Sequence, residues 1–596
     1  MRGGFGRRIR SDSEEDFSIK KLDKRALKFL FRYLKEHKKM LFLSISAMIL
    51  MILASLAGPF LIKIAIDEYI MKGDMEGLTF ISILMILAYG AYWLFSYFQT
   101  YLSNYIGHTI VGDIREDLYE HLQNLSIDFF RKHDTGDVMA RVTHDVNALS
   151  ELVSTGFVHL LSDLFTLVGI IIVMLYLDYR LALVSIITIP FIFFVVYFLG
   201  KKMRSAYRDV RERLAELNAD VEQNLSGIRL IQALNRESKN EGEFSKLSWK
   251  NLKANLKAAS YFSLLFPIMT LSKVLGEALV LGYGGWGIVQ GTVTLGVLIA
   301  FMDYVRRFFG PLADMSQVFN TYQSAGASLD RIYEYMSIET SIKESDEPKS
   351  PEGEIEGKVD FEDVDFSYGE ERIIDDLNLH IESGENFALV GSTGAGKTTL
   401  ANLLTRLYDV DEGKIKIDGI DIRDYSTKEL RKIISIVPQN VFLFDTSIKE
   451  NIRFGKPEAT IEEIKKITKE INAHDFIEGL PRGYETRVGE EGVKLSGGQK
   501  QLVSFARAML AGPKILILDE ATSSVDAYTE VLIQNAMDKL LKGRTVFMIA
   551  HRFATLNKAD RIGVLENGKL IDTGTHEELM ERNDTYRRLY EKQSGG

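Results

Sequence analysis

Two long apolar stretches, HLLSDLFTLVGIIIVMLYL at His159–Leu177 and LALVSIITIPFIFFVVYFLG at Leu181–Gly200, constrain this chain more than any other feature. About 20 apolar residues, at 1.5 Å of rise each, cross the hydrocarbon core of a bilayer. Only Asp178, Tyr179 and Arg180 separate the two stretches, which suits a tight outer turn. Four more windows read the same way, so six spans are expected near 41–66, 79–104, 155–176, 181–201, 262–288 and 294–317. The second, fifth and sixth are richer in Ser, Gly, Thr and Tyr, which fits helices that face lipid on one side and a partner or wet cavity on the other. The sixth holds Asp303, Arg306 and Arg307, and taken alone it also reads as a buried helix of a soluble protein.

Basic residues set the orientation. RYLKEHKK before the first span, the segment 115–149 and KKMRSAYRDVRERL after the fourth carry many Lys and Arg, while EYIMKGDMEGL, LDYR and VQGTV carry few. The basic side is expected to be cytoplasmic. The connections on that side, 105–154 and 202–261, place apolar residues at helical spacing in DIREDLYEHLQNL and RERLAELNADVEQNLSGIRLIQAL. They read as membrane helices extended into the cytosol, with bends near DTGD and Gly227, although charged helix surface alone would look similar. The opening residues mix RRIR with SEED and lack the apolar centre of a signal peptide. The expected layout is a cytosolic tail at 1–24, a transmembrane domain at 25–339, a polar linker at 340–357 and a nucleotide-binding domain at 358–596.

A chain of 596 residues exceeds one ordinary core. With no Cys, disulfides, thiolate metal sites and thiol catalysis are excluded. A net charge of -10 argues against a nucleic-acid partner.

The last third changes character. NFALVGSTGAGKTTLANLLTRL runs strand, loop, helix, the setting in which a glycine-rich match becomes a phosphate-binding loop. Gly391, Ser392, Thr393, Gly394, Ala395, Gly396, Lys397, Thr398 and Thr399 are the nucleotide-binding candidates. Lys397 is suited to the terminal phosphates and the Thr398 hydroxyl to Mg²⁺. ILILDE is a buried-strand pattern that delivers acids at the strand's end, where open parallel sheets bind ligands. Asp519 is the candidate Mg²⁺ ligand and Glu520 the candidate base for an attacking water. His551 follows the apolar TVFMIA and could reach the same phosphate, or simply end a strand. Gln439, in SIVPQN, could be a plain loop residue. LSGGQ precedes a helix, so Ser496, Gly497, Gly498 and Gln499 form a candidate anion nest.

GSTGAGKT, LSGGQ and LDEATSSVD together resemble the ATP-binding cassette exporters that carry one membrane domain followed by one ATPase domain, over about residues 25–590. The resemblance implies a multi-domain fold: an α-helical transmembrane domain with six spans plus an α/β P-loop ATPase domain. It also implies ATP and Mg²⁺, with Tyr368 stacking on adenine and Gln439 linking nucleotide to membrane domain and contacting the metal. Glu490 would make a cross-domain contact, His551 would act as the switch histidine, and Asp526 would end an inter-subunit loop. ATP would lie between one P-loop and the partner's LSGGQ, so a second half-transporter is required. Cross-helices near Leu118–Ser126 and Gly227–Leu234 would dock on the ATPase domains.

Every motif is intact, which favours an identical partner; the alternative is the catalytically intact half of an unlike pair. An amphiphilic, drug-like or lipid-like cargo is expected, with peptide or a specific lipid as the alternative. A soluble ATPase machine would need a second cassette rather than apolar spans. A membrane-anchored regulator would lack cargo-stimulated ATP hydrolysis.

Overall fold

The structure, a computed structural model, describes residues 24–345, 347–349, 353–519, 527–550 and 556–594. The chain divides into two units: residues to Gln123 with Thr135–Ile338, and Asn124–Asp134 with the chain from Glu339 onward.

The described part of the first unit is helical. An amphipathic helix, Lys24–Glu36, is followed by the long apolar helix Lys38–Ile64 and then by Met75–Asn124. That last helix has 50 residues, roughly 75 Å at 1.5 Å per residue, more than twice the hydrocarbon thickness. The helices Thr188–Ser226 and Glu237–Ser263 pack along one another, and Leu265–Val289 and Leu295–Met336 complete the unit. Its core joins Met48, Ile52 and Leu56 to Ile170, Met174, Phe301 and Tyr304. The Tyr304 hydroxyl donates to the Leu56 carbonyl at 2.7 Å.

Among the described residues, four helical stretches are long and apolar enough to cross a membrane: Lys38–Ile70, Met75–Asn124, Thr135–Leu177 and Glu237–Val289. By this measure the described residues give four of the six expected spans, without the fourth and sixth windows. The fourth window is split at Ile187 between Tyr179–Ile186 and Thr188–Ser226, because Pro190 has no N–H to bond the Ile186 carbonyl. The sixth lies in Leu295–Met336 and carries three charges close together. Arg307 is held by Asp303 at 3.0 Å and by the Ser55 carbonyl at 3.1 Å, and Arg306 by Glu277 at 2.9 Å. These charges bind neighbouring helices to one another.

Among its described residues, the second unit holds two sheets. Strands β1 (Val359–Tyr368), β2 (Glu371–Ile381), β4 (Glu412–Ile417) and β5 (Ile420–Asp421) form an antiparallel sheet of order β2-β1-β4-β5. The larger sheet contains β3 (Asn386–Gly391), β6 (Ile434–Val437), β7 (Ile515–Asp519), β8 (Thr545–Ile549), β9 (Arg561–Glu566) and β10 (Lys569–Gly574). Its order is β10-β9-β3-β8-β7-β6, parallel except at β10.

Side chains alternate between two cores. Phe387, Leu389, Ile517 and Phe547 join the smaller sheet and the helix Lys397–Leu404, whereas Ala388, Val390, Leu518 and Met548 join the helix Gly497–Ala511. Burial on both faces is why these strands read as continuous apolar runs.

Candidate nucleotide site

The carboxyl ends of four neighbouring parallel strands carry the candidates in spatial order. The glycine-rich turn follows β3, Asp519 closes β7, and Gln439 lies in the turn after β6. Between β3 and β7 runs β8, which pairs Leu389 with Ile549 and Asp519 with Ile549. Residues separated by more than a hundred positions thus meet on one sheet edge, the usual ligand position in such folds.

The turn's geometry explains its glycines. A Cβ on Gly391 would meet the Leu565 carbonyl oxygen at 2.3 Å, so no larger residue fits. Gly396 has φ 107° and packs under β2, where a Cβ would lie 2.7 Å from Ile374 Cδ1. The helix Lys397–Leu404 starts immediately beyond. Lys397 is only 5 % exposed. Its ammonium donates to the carbonyls of Gly391 at 2.8 Å and Ser392 at 3.0 Å.

A buried cation, a helix amino terminus and glycines that exclude side chains together fit a polyphosphate. Ser392, Thr393, Gly394 and Thr398 are exposed, as ligand-facing groups must be, while Ala395 and Thr399 are buried on the core side. Asp519 is half-buried and Gln439 exposed. With Thr398 they supply oxygen donors of the kind Mg²⁺ takes alongside phosphate. Glu520, Asp526 and His551 lie outside the described residues.

Tyr368 ends β1 and meets Tyr408 and Phe366 edge-on, at centroid distances of 5.1 and 4.9 Å. The Arg131 guanidinium lies 5.1 Å over its ring, a contact that the sequence reading missed. Arg131 belongs to a separate short helix, Ile127–Lys132, within the same unit. That helix lies beyond the expected Leu118–Ser126, because Leu118 remains inside Met75–Asn124. A second short helix occupies Ile228–Ala233. Asp128 is held below the ordinary carboxylate range: burial opposes its ionisation, but hydrogen bonds from Lys132 and Arg131 outweigh that effect. Burial raises the Tyr408 hydroxyl above its usual value, and the neighbouring Tyr368 adds to the shift.

LSGGQ stands elsewhere. Ser496 caps the helix Gly497–Ala511, accepting from the Gln499 N–H at 3.3 Å, while Gln499 Oε1 accepts from the Ser496 N–H at 3.0 Å. This reciprocal capping box uses both polar side chains. Ser496 and Gly497 are exposed, Gly498 is buried and Gln499 is half-buried. The helix joins the core opposite that of the P-loop helix. Glu490 opens a short turn, Glu490–Gly492, in which Glu490 and Glu491 are exposed and Gly492 is buried.

Comparisons with known proteins agree with this arrangement. Residues 41–312 match the ABC transporter transmembrane region family and residues 374–523 match the ABC transporter family. A Bacillus subtilis (strain 168) protein described as an uncharacterized ABC transporter ATP-binding protein, YknV, is 38% identical, over 95% of this chain and 94% of its own length. A putative multidrug export ATP-binding/permease protein, YgaD, of the same organism is 36% identical, over 95% of this chain and 98% of its own length. An ATP-dependent lipid A-core flippase of Syntrophus aciditrophicus (strain SB) is 38% identical, over 90% of this chain and 89% of its own length. A solved bacterial Atm1-family ABC exporter with ATP bound superposes with a TM-score of 0.75 at 27% identity, covering 94% of this chain and 98% of that one. The chain therefore belongs to the ATP-binding cassette transporters, as a multi-pass membrane half-transporter with a cytoplasmic ATPase domain that hydrolyses ATP to drive transport.

Proposed function

We infer that two copies of this chain form an exporter that moves an amphiphilic or lipid-like molecule out of the cytoplasmic leaflet. The observation that carries the reading is the sheet edge where the P-loop, Asp519 and Gln439 come together beside a buried Lys397. In this reading ATP lies with its phosphates on the P-loop and its adenine on Tyr368, and the partner's Ser496–Gln499 turn closes over it. Thr398, Asp519 and Gln439 hold Mg²⁺, which offsets charge on the phosphates. Glu520 orients the attacking water and His551 senses the terminal phosphate, while Glu490 and Asp526 contact neighbouring domains.

Each chain contributes six spans, the split fourth and the charged sixth included, within a domain of about 25–339; a linker at 340–357 leads to an ATPase domain at 358–596. Closure of two ATPase domains supplies the free-energy difference that turns the membrane domain outward. A lipid-like cargo is supported by the lipid A-core flippase and the putative multidrug exporter among the relatives. Homodimerisation is supported by one complete set of motifs per chain.

The deciding experiment reconstitutes the purified protein in inverted vesicles and measures ATP-dependent uptake of fluorescent phospholipids and amphiphilic dyes. The expected result is uptake that Glu520→Gln abolishes while ATP binding survives. Uptake that persisted in E520Q at the wild-type rate would refute the assignment. A complex purified with an unlike subunit would replace the homodimer.

A further inference from the structure

The first described helix roofs a cavity that nothing in the transport cycle uses. Lys24–Glu36 turns Ala26, Phe29, Leu30 and Tyr33 toward the bundle. Tyr33 donates from its hydroxyl to Asp117 at 2.6 Å, and Phe29 meets Tyr333 at 6.0 Å, so the helix is docked. Beside this contact lies a cavity of about 220 Å³ between Leu27, Phe31 and Leu34 of the helix and Ile106, Val153 and Phe157 of the bundle.

The chemistry of the cavity is one-sided. Ser103 reaches it, but the Ser103 hydroxyl lies 3.0 Å from that of Ser44 and accepts from Gln99 at 3.3 Å, so it has partners already. Dry apolar space of this kind takes hydrocarbon and offers little to a polar ligand. The roof helix is strongly basic, however. Five Lys or Arg lie within Lys24–Glu36, against one acid, Glu36, and Lys38 and Lys39 follow at once. Phe31 is 58% exposed, and Lys28 and Lys35, three and four residues away on the helix, flank it on the exposed side. Amphipathic helices with such basic clusters attract anionic headgroups.

We propose that this cavity holds one acyl chain of an anionic phospholipid of the cytoplasmic leaflet, with its phosphate bound by Lys28 and Lys35. The lipid is a resident, not cargo, and ties the position of the first helix to membrane composition.

The test uses the full-length protein in vesicles of phosphatidylcholine alone or of equimolar phosphatidylcholine and phosphatidylglycerol. Each lipid in turn carries a photoreactive group on its acyl chain, and labelled peptides are identified by mass spectrometry. Labelling of the peptides around Leu27–Leu34 and Val153–Phe157 is normalised to the exposed apolar residues around Leu164–Tyr176. Phosphatidylglycerol should label the cavity on the order of tenfold more than phosphatidylcholine. Leu34→Trp, which fills the space, should remove cavity labelling by both lipids. Lys28→Gln with Lys35→Gln changes exposed side chains only and should abolish the preference without abolishing labelling.

Any of three labelling results would overturn the proposal: equal labelling by both lipids, labelling unchanged in L34W, or cavity labelling that falls when irradiation is carried out during ATP turnover, which would identify cargo. The chain has no cysteine, so F31C also gives a clean check. A disulfide between two copies at this position would show a partner subunit seated there in place of lipid.

Discussion

The turn at Gly391–Thr398 and the turn at Leu495–Gln499 both open helices with glycine, yet they differ in what they leave unfinished. The first buries a lysine against two carbonyls and is shaped by close approaches that only glycine allows. Its need is an anion. The second satisfies its own helix end through the Ser496–Gln499 box and lies against the other core of the sheet. Nothing in its immediate shell calls for phosphate. A turn with a built-in cation can bind by itself, whereas a turn that is already capped adds affinity only when another surface presents a ligand to it.

The largest effect expected from this difference is at Lys397. Lys397→Met keeps the stem but leaves the Gly391 and Ser392 carbonyls without their donor, and should cost about 2–5 kcal/mol of ATP affinity. Equilibrium binding of a fluorescent ATP analogue to the full-length protein would measure it. A loss below threefold would mean that the lysine is a structural pin within the loop.

Ser496→Ala comes next and should behave differently. Loss of the cap weakens its helix by about 1 kcal/mol. ATP affinity should stay within about twofold, while turnover falls on the order of tenfold through the missing contact to a charged ligand. If S496A reduced ATP affinity as much as K397M does, the contrast between the two turns would be wrong.

How far these features could be read beforehand depended on how local they are. Strand β3, its turn and its helix are contiguous, so apolar runs and glycine spacing were enough to place them. Asp519 was legible for the same reason, as a strand-end acid after ILIL. The box at Ser496 was also written in the chain as S-x-x-Q, but the glycines between drew attention to anions instead. The two windows that length and apolarity leave out each hold a short-range interruption, Pro190 in one and Asp303, Arg306 and Arg307 in the other. The contact of Arg131 with Tyr368 joins distant segments, and neither residue's neighbours along the chain announce it.

That contact gives a smaller prediction, and it bears on whether the first turn is self-sufficient. Arg131 over the Tyr368 ring should steady the aromatic by about 0.5–1 kcal/mol. Arg131→Ala should therefore weaken ATP binding two- to fivefold, and Arg131→Lys should restore part of it. Tripolyphosphate, which has no base to stack, should bind both variants like the wild type. If tripolyphosphate binding fell in parallel, Arg131 would be acting on the phosphate loop and not on the adenine end.

The smallest effect concerns the strand that backs the first turn. Ile373 and Ile374 of β2 press on Gly396, while His380, farther along β2, sits between Asp360 and Glu382, 2.8 Å from the latter. Hydrogen bonds to Asp360 first, then to Glu382, raise the His380 pKa above its ordinary value. The folded value exceeds the unfolded one of about 6.5, so this contribution is complete below that pH and fades as pH rises through the folded value. Because the imidazole is 40% exposed, solvent screening keeps the contribution below about 1 kcal/mol. His380→Gln should therefore speed amide exchange in β1 and β2 below about pH 6 and match the wild type well above neutrality. ATP affinity should not follow, because Gly396 meets β2 at its other end, at Ile373 and Ile374, and Gly391 packs against Leu565 of β9. If affinity did track the exchange rate as pH changed, the P-loop would depend on the whole antiparallel sheet, and its independence from its surroundings would have to be given up.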